Sequence, residues 1–181
     1  MADITINGLT FEPYIEREKI AEQIQRVATE ISRDCKTSNP LFLCVLNGAF
    51  MFAADLIRCV DLPMAEITFI RFKSYEGTTS TGVVREIMGL NEDITGREII
   101  IIEDIVDTGI TAVQLRALLE EHKPASVKMA TLLFKPESLK QGTAPEYVGF
   151  SIPSRFILGY GLDLDGAARN LADIYVLKEN A

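Results

Sequence analysis

The sequence predicts an α/β fold: a doubly wound, mainly parallel sheet flanked by helices, with a small flap or hood from the terminal segments. Three observations carry this expectation. Short apolar runs such as "LFLCVL", "EIIIIED" and "SVKMATLLFK" have the length and β-branched content of buried strands. Stretches with helical spacing alternate with them, as β–α–β units require. Towards the end, "EYVGFSIPSRFILGYGLDLDGAARNLADIYVL" has shorter apolar runs broken by Pro and Gly, which suits a flap plus an edge strand.

Taken in order, residues 15–34 predict a helix, because Ile20, Ile24, Val27 and Ile31 are spaced by four, three and four. Residues 41–46 form a buried strand, and "NGAF" turns it into a helix from about Phe50 to Cys59. Residues 65–72 are the next strand. The run "KSYEGTTSTGVVRE" (73–86) is polar, rich in small residues and too long for a tight turn, so it predicts a mobile loop. A strand at 97–104, a helix at 111–122 and a strand at 126–135 follow. Residues 1–181 then make a single domain, with a lid at 73–86 and a hood partly from 146–181. In such sheets ligands bind beyond the carboxyl ends of the strands, where Leu46, Asp104 and Lys135 are expected.

Composition narrows the function. The chain is 48% hydrophobic, enough to bury a sizeable core. A formal charge of −8 argues against a general nucleic-acid surface. No run approaches the roughly 18 apolar residues that span a bilayer, and "MADITINGLTF" lacks a signal-peptide pattern, so a membrane partner is not expected. Cys35, Cys44 and Cys59 are odd in number and lack metal-ligand spacing, which predicts reduced thiols and a cytoplasmic protein. The single histidine, His122, stands beside Lys123 and Pro124 as a solvated helix end, so Ser/His/Asp catalysis and a His-rich zinc site are improbable.

The chemistry concentrates in "EDIVDTGIT" (103–111). Gly109 permits a left-handed backbone, and successive amides, the hydroxyls of Thr108 and Thr111 and a helix N-terminus make an anion nest. Neither GxxxxGK[ST] nor GxGxxG is present, so this is not a nucleotide loop of those kinds. Glu103 and Asp104 would repel phosphate, yet they can accept from vicinal sugar hydroxyls or hold Mg2+ through water. A ribose 5-phosphate reconciles the two halves.

"IIIIEDIVDTGIT" resembles the phosphoribosyl-pyrophosphate signature of the type I phosphoribosyltransferases. Further segments resemble the hypoxanthine-guanine branch in order over nearly the whole chain: "LNGAF", "KSYEGTTSTG", "LLFKP" and "VGFSIPSRFILGYGLDLDGAARNL". The resemblance implies transfer of phosphoribosyl from phosphoribosyl pyrophosphate to purine N9, in purine salvage. Thr108, Gly109, Ile110 and Thr111 would hold the 5′-phosphate, Glu103 and Asp104 the ribose hydroxyls and Mg2+, and Asp107 the proton at purine N7. Asn47 and Gly48, after a non-proline cis bond from Leu46, and Arg169 would hold pyrophosphate; relatives commonly carry Lys where Asn47 stands. Lys135 would donate to the 6-oxo group, Phe156 would stack on the base, and Ile157 would meet its edge through backbone. Arg155 occupies a common Lys position beside the stacking aromatic. Asp163 would carry a second Mg2+, and Ser74 and Tyr75 belong to the lid. A homo-oligomer, dimer or tetramer, is implied. The ranking of hypoxanthine, guanine and xanthine stays open, as does a ligand-sensing regulator of the same fold, against which the charge and the Lys135, Phe156 and Asp163 set argue.

Overall fold

Apolar patterning sorts the strands of this computed structural model, which describes residues 2–76 and 83–178, into two sheets. In chain order the elements are β1 (Ile4–Ile6), β2 (Leu9–Ile15), α1 (Arg17–Asp34), β3 (Leu41–Val45), α2 (Phe50–Cys59), β4 (Glu66–Glu76) and β5 (Val83–Met88). They continue with β6 (Glu98–Val106), α3 (Ile110–Glu120), β7 (Ser126–Phe134), a 3-10 turn at Pro136–Ser138, β8 (Tyr147–Ser151), β9 (Ile157–Leu158) and β10 (Ile174–Leu177). The main sheet runs β5-β4-β3-β6-β7-β8, parallel throughout except for β5. This is the doubly wound, mainly parallel layout that the sequence predicted.

The near-continuous apolar strands follow from helices on both faces. Phe42, Cys44, Ile100 and Ile102 pack with α1 and α2, while Leu41, Leu43, Ile99 and Ile101 pack with Leu115 and Leu119 of α3. Helix α1 buries Ile20, Ile24, Val27 and Ile31, the stripe its spacing required. Cys35 and Cys44 are buried, Cys59 is half-buried, and all three are free. None of the described helices is long and apolar enough to cross a membrane.

One expectation needs correction. The predicted loop 73–86 begins and ends as strand: β4 continues to Glu76 and pairs with β5, Lys73 opposite Glu86 and Ser74 opposite Arg85. Cross-strand pairing satisfies the backbone there, which a composition-based reading of polar residues does not capture. The middle of the expected lid, 77–82, lies outside the described residues. The terminal segments divide as expected into an edge strand and a hood. Residues 147–151 form β8, at the edge of the main sheet. The hood is the antiparallel sheet β1-β2-β10-β9, which joins the N-terminal strands to parts of 146–181 and closes over Phe11, Leu158 and Tyr175. Its N-terminal hairpin turns at Asn7 and Gly8, both at positive φ.

Candidate active site

The carboxyl ends of β3, β6 and β7 open on one side of the main sheet, and the hood segment 156–169 faces them. Each end delivers one part of the site.

After β6 the chain turns through Asp107, Thr108 and Gly109 into α3. Gly109 sits at the helix N-cap with φ 77 and ψ −7, the left-handed conformation expected of it. A Cβ there would also collide with the carbonyl of Gln141 and come within 2.6 Å of Leu139 Cδ1. The carbonyl of Thr108 accepts from the amides of Lys140 at 2.9 Å and Gln141 at 3.2 Å. The loop is therefore pinned from behind, with its front free. That front is a cavity of about 110 Å3 lined by Glu103, Asp107, Thr108, Gly109 and Thr111, among others. Ile110 begins the helix and is exposed. A helix N-terminus with hydroxyls at its mouth favours a phosphate-sized anion.

Glu103 and Asp104, neighbours in sequence, do not share a face. β6 runs on to Val106, so both acids are within the strand, where successive side chains point to opposite faces. Glu103 lines the anion cavity, 9% exposed, while Asp104 lines a second cavity on the hood side. Burial and then the charge of Asp104 push the Glu103 carboxyl well above its usual range. Burial likewise raises Asp104, against its hydrogen bonds to backbone amides and the positive charge of Arg169. The Oδ1 of Asp104 accepts from the Ile105 amide at 2.8 Å.

The β3–α2 turn carries the Leu46–Asn47 bond, which is cis, as the resemblance implied. Asn47 is exposed and Gly48 buried. A side chain on Gly48 would occupy the place of the Asp104 carboxylate, and one on Gly161 would strike the carbonyl of Gly48. Both glycines thus press the turn against the site. Gly161 was not among the residues singled out from the sequence, although "GYG" signals a tight turn.

The second cavity, of about 330 Å3, is lined by Asp104, Asp107, Lys135, Phe156, Ile157 and Asp163, with Ile105 and Leu162. Lys135 follows β7, is only 8% exposed, and its Nζ donates to Asp107 Oδ2 at 2.9 Å. Phe156 is not a core residue: 46% exposed, it leans on Phe11 with centroids 6.1 Å apart. Asp163 is engaged twice, by Arg169 Nη2 at 2.7 Å and by the Gly166 amide at 2.7 Å. Arg169 also donates to the carbonyl of Gly161 at 2.7 Å. Arg155 is the residue the structure turns away: its guanidinium donates to the carbonyl of Leu177 at 3.3 Å and lies 3.5 Å from Glu12. Its length lets it brace the hood strands, so its side chain does not line the base cavity. The carbonyl of Phe156 accepts from the Leu177 amide, fixing the aromatic at the cavity mouth.

Ile105 and Asp107 line both cavities, so the two adjoin. A larger hollow of about 490 Å3 lies between α1, α2 and Tyr160, but it has neither loop nor convergent acids. Converging polar groups, not size, identify a ligand site.

Each cavity offers carboxylate oxygen chemistry that suits a divalent cation, Glu103 in one and Asp104 in the other. Glu103 and Asp104 are carboxylates held high by burial, with no cation within ion-pair distance among the described residues. Also among the described residues, no three His, Cys, Asp or Glu side chains cluster as a metal site. Ligand oxygens and water would have to complete the coordination.

With this geometry in view, residues 14–165 match the family described as the phosphoribosyl transferase domain. A hypoxanthine-guanine phosphoribosyltransferase of Streptococcus thermophilus is 40% identical over 164 residues, covering 90% of this chain and 91% of that one. A hypoxanthine-guanine-xanthine phosphoribosyltransferase of Tritrichomonas foetus is 39% identical over 165 residues, covering 91% and 90%. The crystal structure of a hypoxanthine-guanine phosphoribosyltransferase from Bacillus anthracis superposes with a TM-score of 0.83 at 37% identity, over 92% of this chain and 97% of that one.

Proposed function

The chain belongs to the phosphoribosyltransferase family, and from that premise we propose how its two adjoining cavities carry out purine salvage. The enzyme transfers the 5-phosphoribosyl group from phosphoribosyl pyrophosphate to N9 of hypoxanthine or guanine, releasing pyrophosphate. The observation that carries the assignment of residues is the pairing of an anion cavity at Thr108–Gly109–Thr111 with a cavity holding Lys135 and Phe156.

The 5′-phosphate occupies the nest of Thr108, Gly109, Ile110 and Thr111, whose backbone is held from behind through the Thr108 carbonyl. Glu103 and Asp104 flank the ribose from opposite sides of β6. The purine lies against the Phe156 ring, with the backbone of Ile157 at its edge. Lys135 leaves Asp107 or shares with it to donate to the 6-oxo group. Asp107 faces N7 and manages its proton as general acid or base. Asn47, Gly48 and Arg169 cradle the pyrophosphate from the hood side. Mg2+, when bound, would neutralise charge on the leaving pyrophosphate. Glu103 and Asp104 have the chemistry to hold it, and Asp163 can join once Arg169 turns to the substrate, since a carboxylate has further lone pairs to offer.

The transition state is oxocarbenium-like, so water must be excluded. In this reading the β4–β5 hairpin, with Ser74 and Tyr75, is the lid of a single domain. The reading extends to a cytoplasmic homo-oligomer. Three free cysteines support the compartment, and the exposed rings of Phe50 and Phe69 support a covered surface.

The test is direct. Protein, Mg2+, phosphoribosyl pyrophosphate and hypoxanthine should yield inosine 5′-monophosphate and pyrophosphate in equal amounts. Absence of turnover with both hypoxanthine and guanine would refute the reading.

A further inference from the structure

Asn47, in the turn between β3 and α2, is neutral, so the turn brings no positive charge of its own to a pyrophosphate. The site around it is already acidic. Lys135, which lines the second cavity, is matched by Asp107 at 2.9 Å, and Arg169, bonded to the lining residue Asp163 at 2.7 Å, is matched as well. Glu103 and Asp104 remain. Pyrophosphate and its phosphoribosyl ester are polyanions, and both of these cations already have a carboxylate partner.

A charge of the right kind stands on the neighbouring strand. Strands β3 and β4 are paired in parallel with Val45 opposite Ile70, and the Leu46 amide donates to the carbonyl of Ile70 at 2.8 Å. The next residue, Arg71, is thereby set beside the Leu46–Asn47 turn. Its Nη2 donates to Asn47 Oδ1 at 2.9 Å, and both side chains are exposed at the rim. Among the residues whose side chains are described, no carboxylate lies within ion-pair distance of Arg71. A guanidinium is always charged, and a neutral amide partner fixes its fork without cancelling that charge. The fork suits a phosphoryl oxygen pair, and four of its five N–H groups are left for other acceptors.

We infer that Arg71, oriented by Asn47, is a further binding residue for the pyrophosphate moiety, with Asn47 as its positioning residue. This rests on the transferase reading above. Substitution R71Q should raise KM for phosphoribosyl pyrophosphate about tenfold, and likewise KM for pyrophosphate in the reverse reaction, the lower range for a hydrogen bond from a charged group. KM for hypoxanthine should stay unchanged. N47A should act in the same direction and more weakly. N47K in the R71Q background should restore most of the loss by returning a charge to the turn, which a merely structural role would not allow. R71Q with both constants unchanged, or with hypoxanthine KM raised equally, would overturn the inference. If the wild type turns over no purine, the transferase reading fails separately. Calorimetry with magnesium pyrophosphate then decides: tighter binding to wild type than to R71Q supports the site, and equal binding overturns it.

Discussion

Replacing Lys135 by Met tests the base-recognition half of the account. Methionine keeps the length and apolar stem of a side chain that is 8% exposed, so the local packing survives. What is lost is the Nζ that now donates to Asp107 at 2.9 Å and that would reach the 6-oxo group. A hydrogen bond from a charged donor contributes about 1.5–3 kcal/mol, so kcat/KM for hypoxanthine should fall roughly 10- to 150-fold. Adenine offers a donor where hypoxanthine offers an acceptor, and lysine only donates. The wild type should therefore reject adenine by about 10⁴ or more. Phe156 cannot supply that discrimination, because every base has a π-face. The mutant should narrow the gap, chiefly by losing hypoxanthine. Steady-state kcat/KM for both bases in both proteins is the assay. Wild-type activity on adenine rivalling that on hypoxanthine would refute the role of Lys135 and the 6-oxopurine assignment with it.

Three more outcomes are expected. Asp107→Asn should lower kcat roughly 10²-fold with phosphoribosyl pyrophosphate still bound, and its effect should combine non-additively with Lys135→Met, since the two side chains are bonded; an unchanged kcat would reduce Asp107 to a loop residue. Glu103→Gln should stabilise the ligand-free protein at pH 8. The folded carboxyl is held well above the ordinary glutamate value of 4.5 by burial, so the contribution of Glu103 to stability is complete below that value and is lost as pH rises through the folded pKa. The difference in Tm between mutant and wild type should vanish towards pH 4 and correspond at pH 8 to about 1–3 kcal/mol, at roughly 2–4 °C per kcal/mol; a lower Tm for the mutant at pH 8 would contradict the reasoning. Gly109→Ala places a Cβ at φ 77 against the Gln141 carbonyl, so it should cost about 2 kcal/mol or more in thermal or denaturant unfolding and raise KM for phosphoribosyl pyrophosphate more than for the purine.

Much of this architecture was legible because it depends on local rules. The buried strands and α1 follow from apolar periodicity, and the left-handed Gly109 follows from a glycine between a strand and a helix. Non-local pairing was less legible. The pairing of β4 with β5 escapes a reading of "KSYEGTTSTGVVRE" by composition, because cross-strand hydrogen bonding decides the conformation of 73–76 and 83–86. The hood joins β2 to β10 from opposite ends of the chain, with Pro13 inside β2 obscuring the strand pattern. Glu103 and Asp104 were identified as site residues, but their strand was ended two residues early, which hid their division between two faces. Lys135 looks solvated until Asp107 is placed beside it, and Arg155 looks like a base contact until Glu12 and the carbonyl of Leu177 claim it. Arg71 carries no motif at all. Its meaning arises only from the register of β3 and β4.

The most direct measurement is a crystal structure of the protein with inosine 5′-monophosphate. The account predicts the 5′-phosphate within hydrogen-bonding distance of the amides of residues 108–111, the base against Phe156, and its 6-oxo group accepting from Lys135. A phosphate bound elsewhere, or a base turned so that its 6-oxo group points away from Lys135, would contradict it.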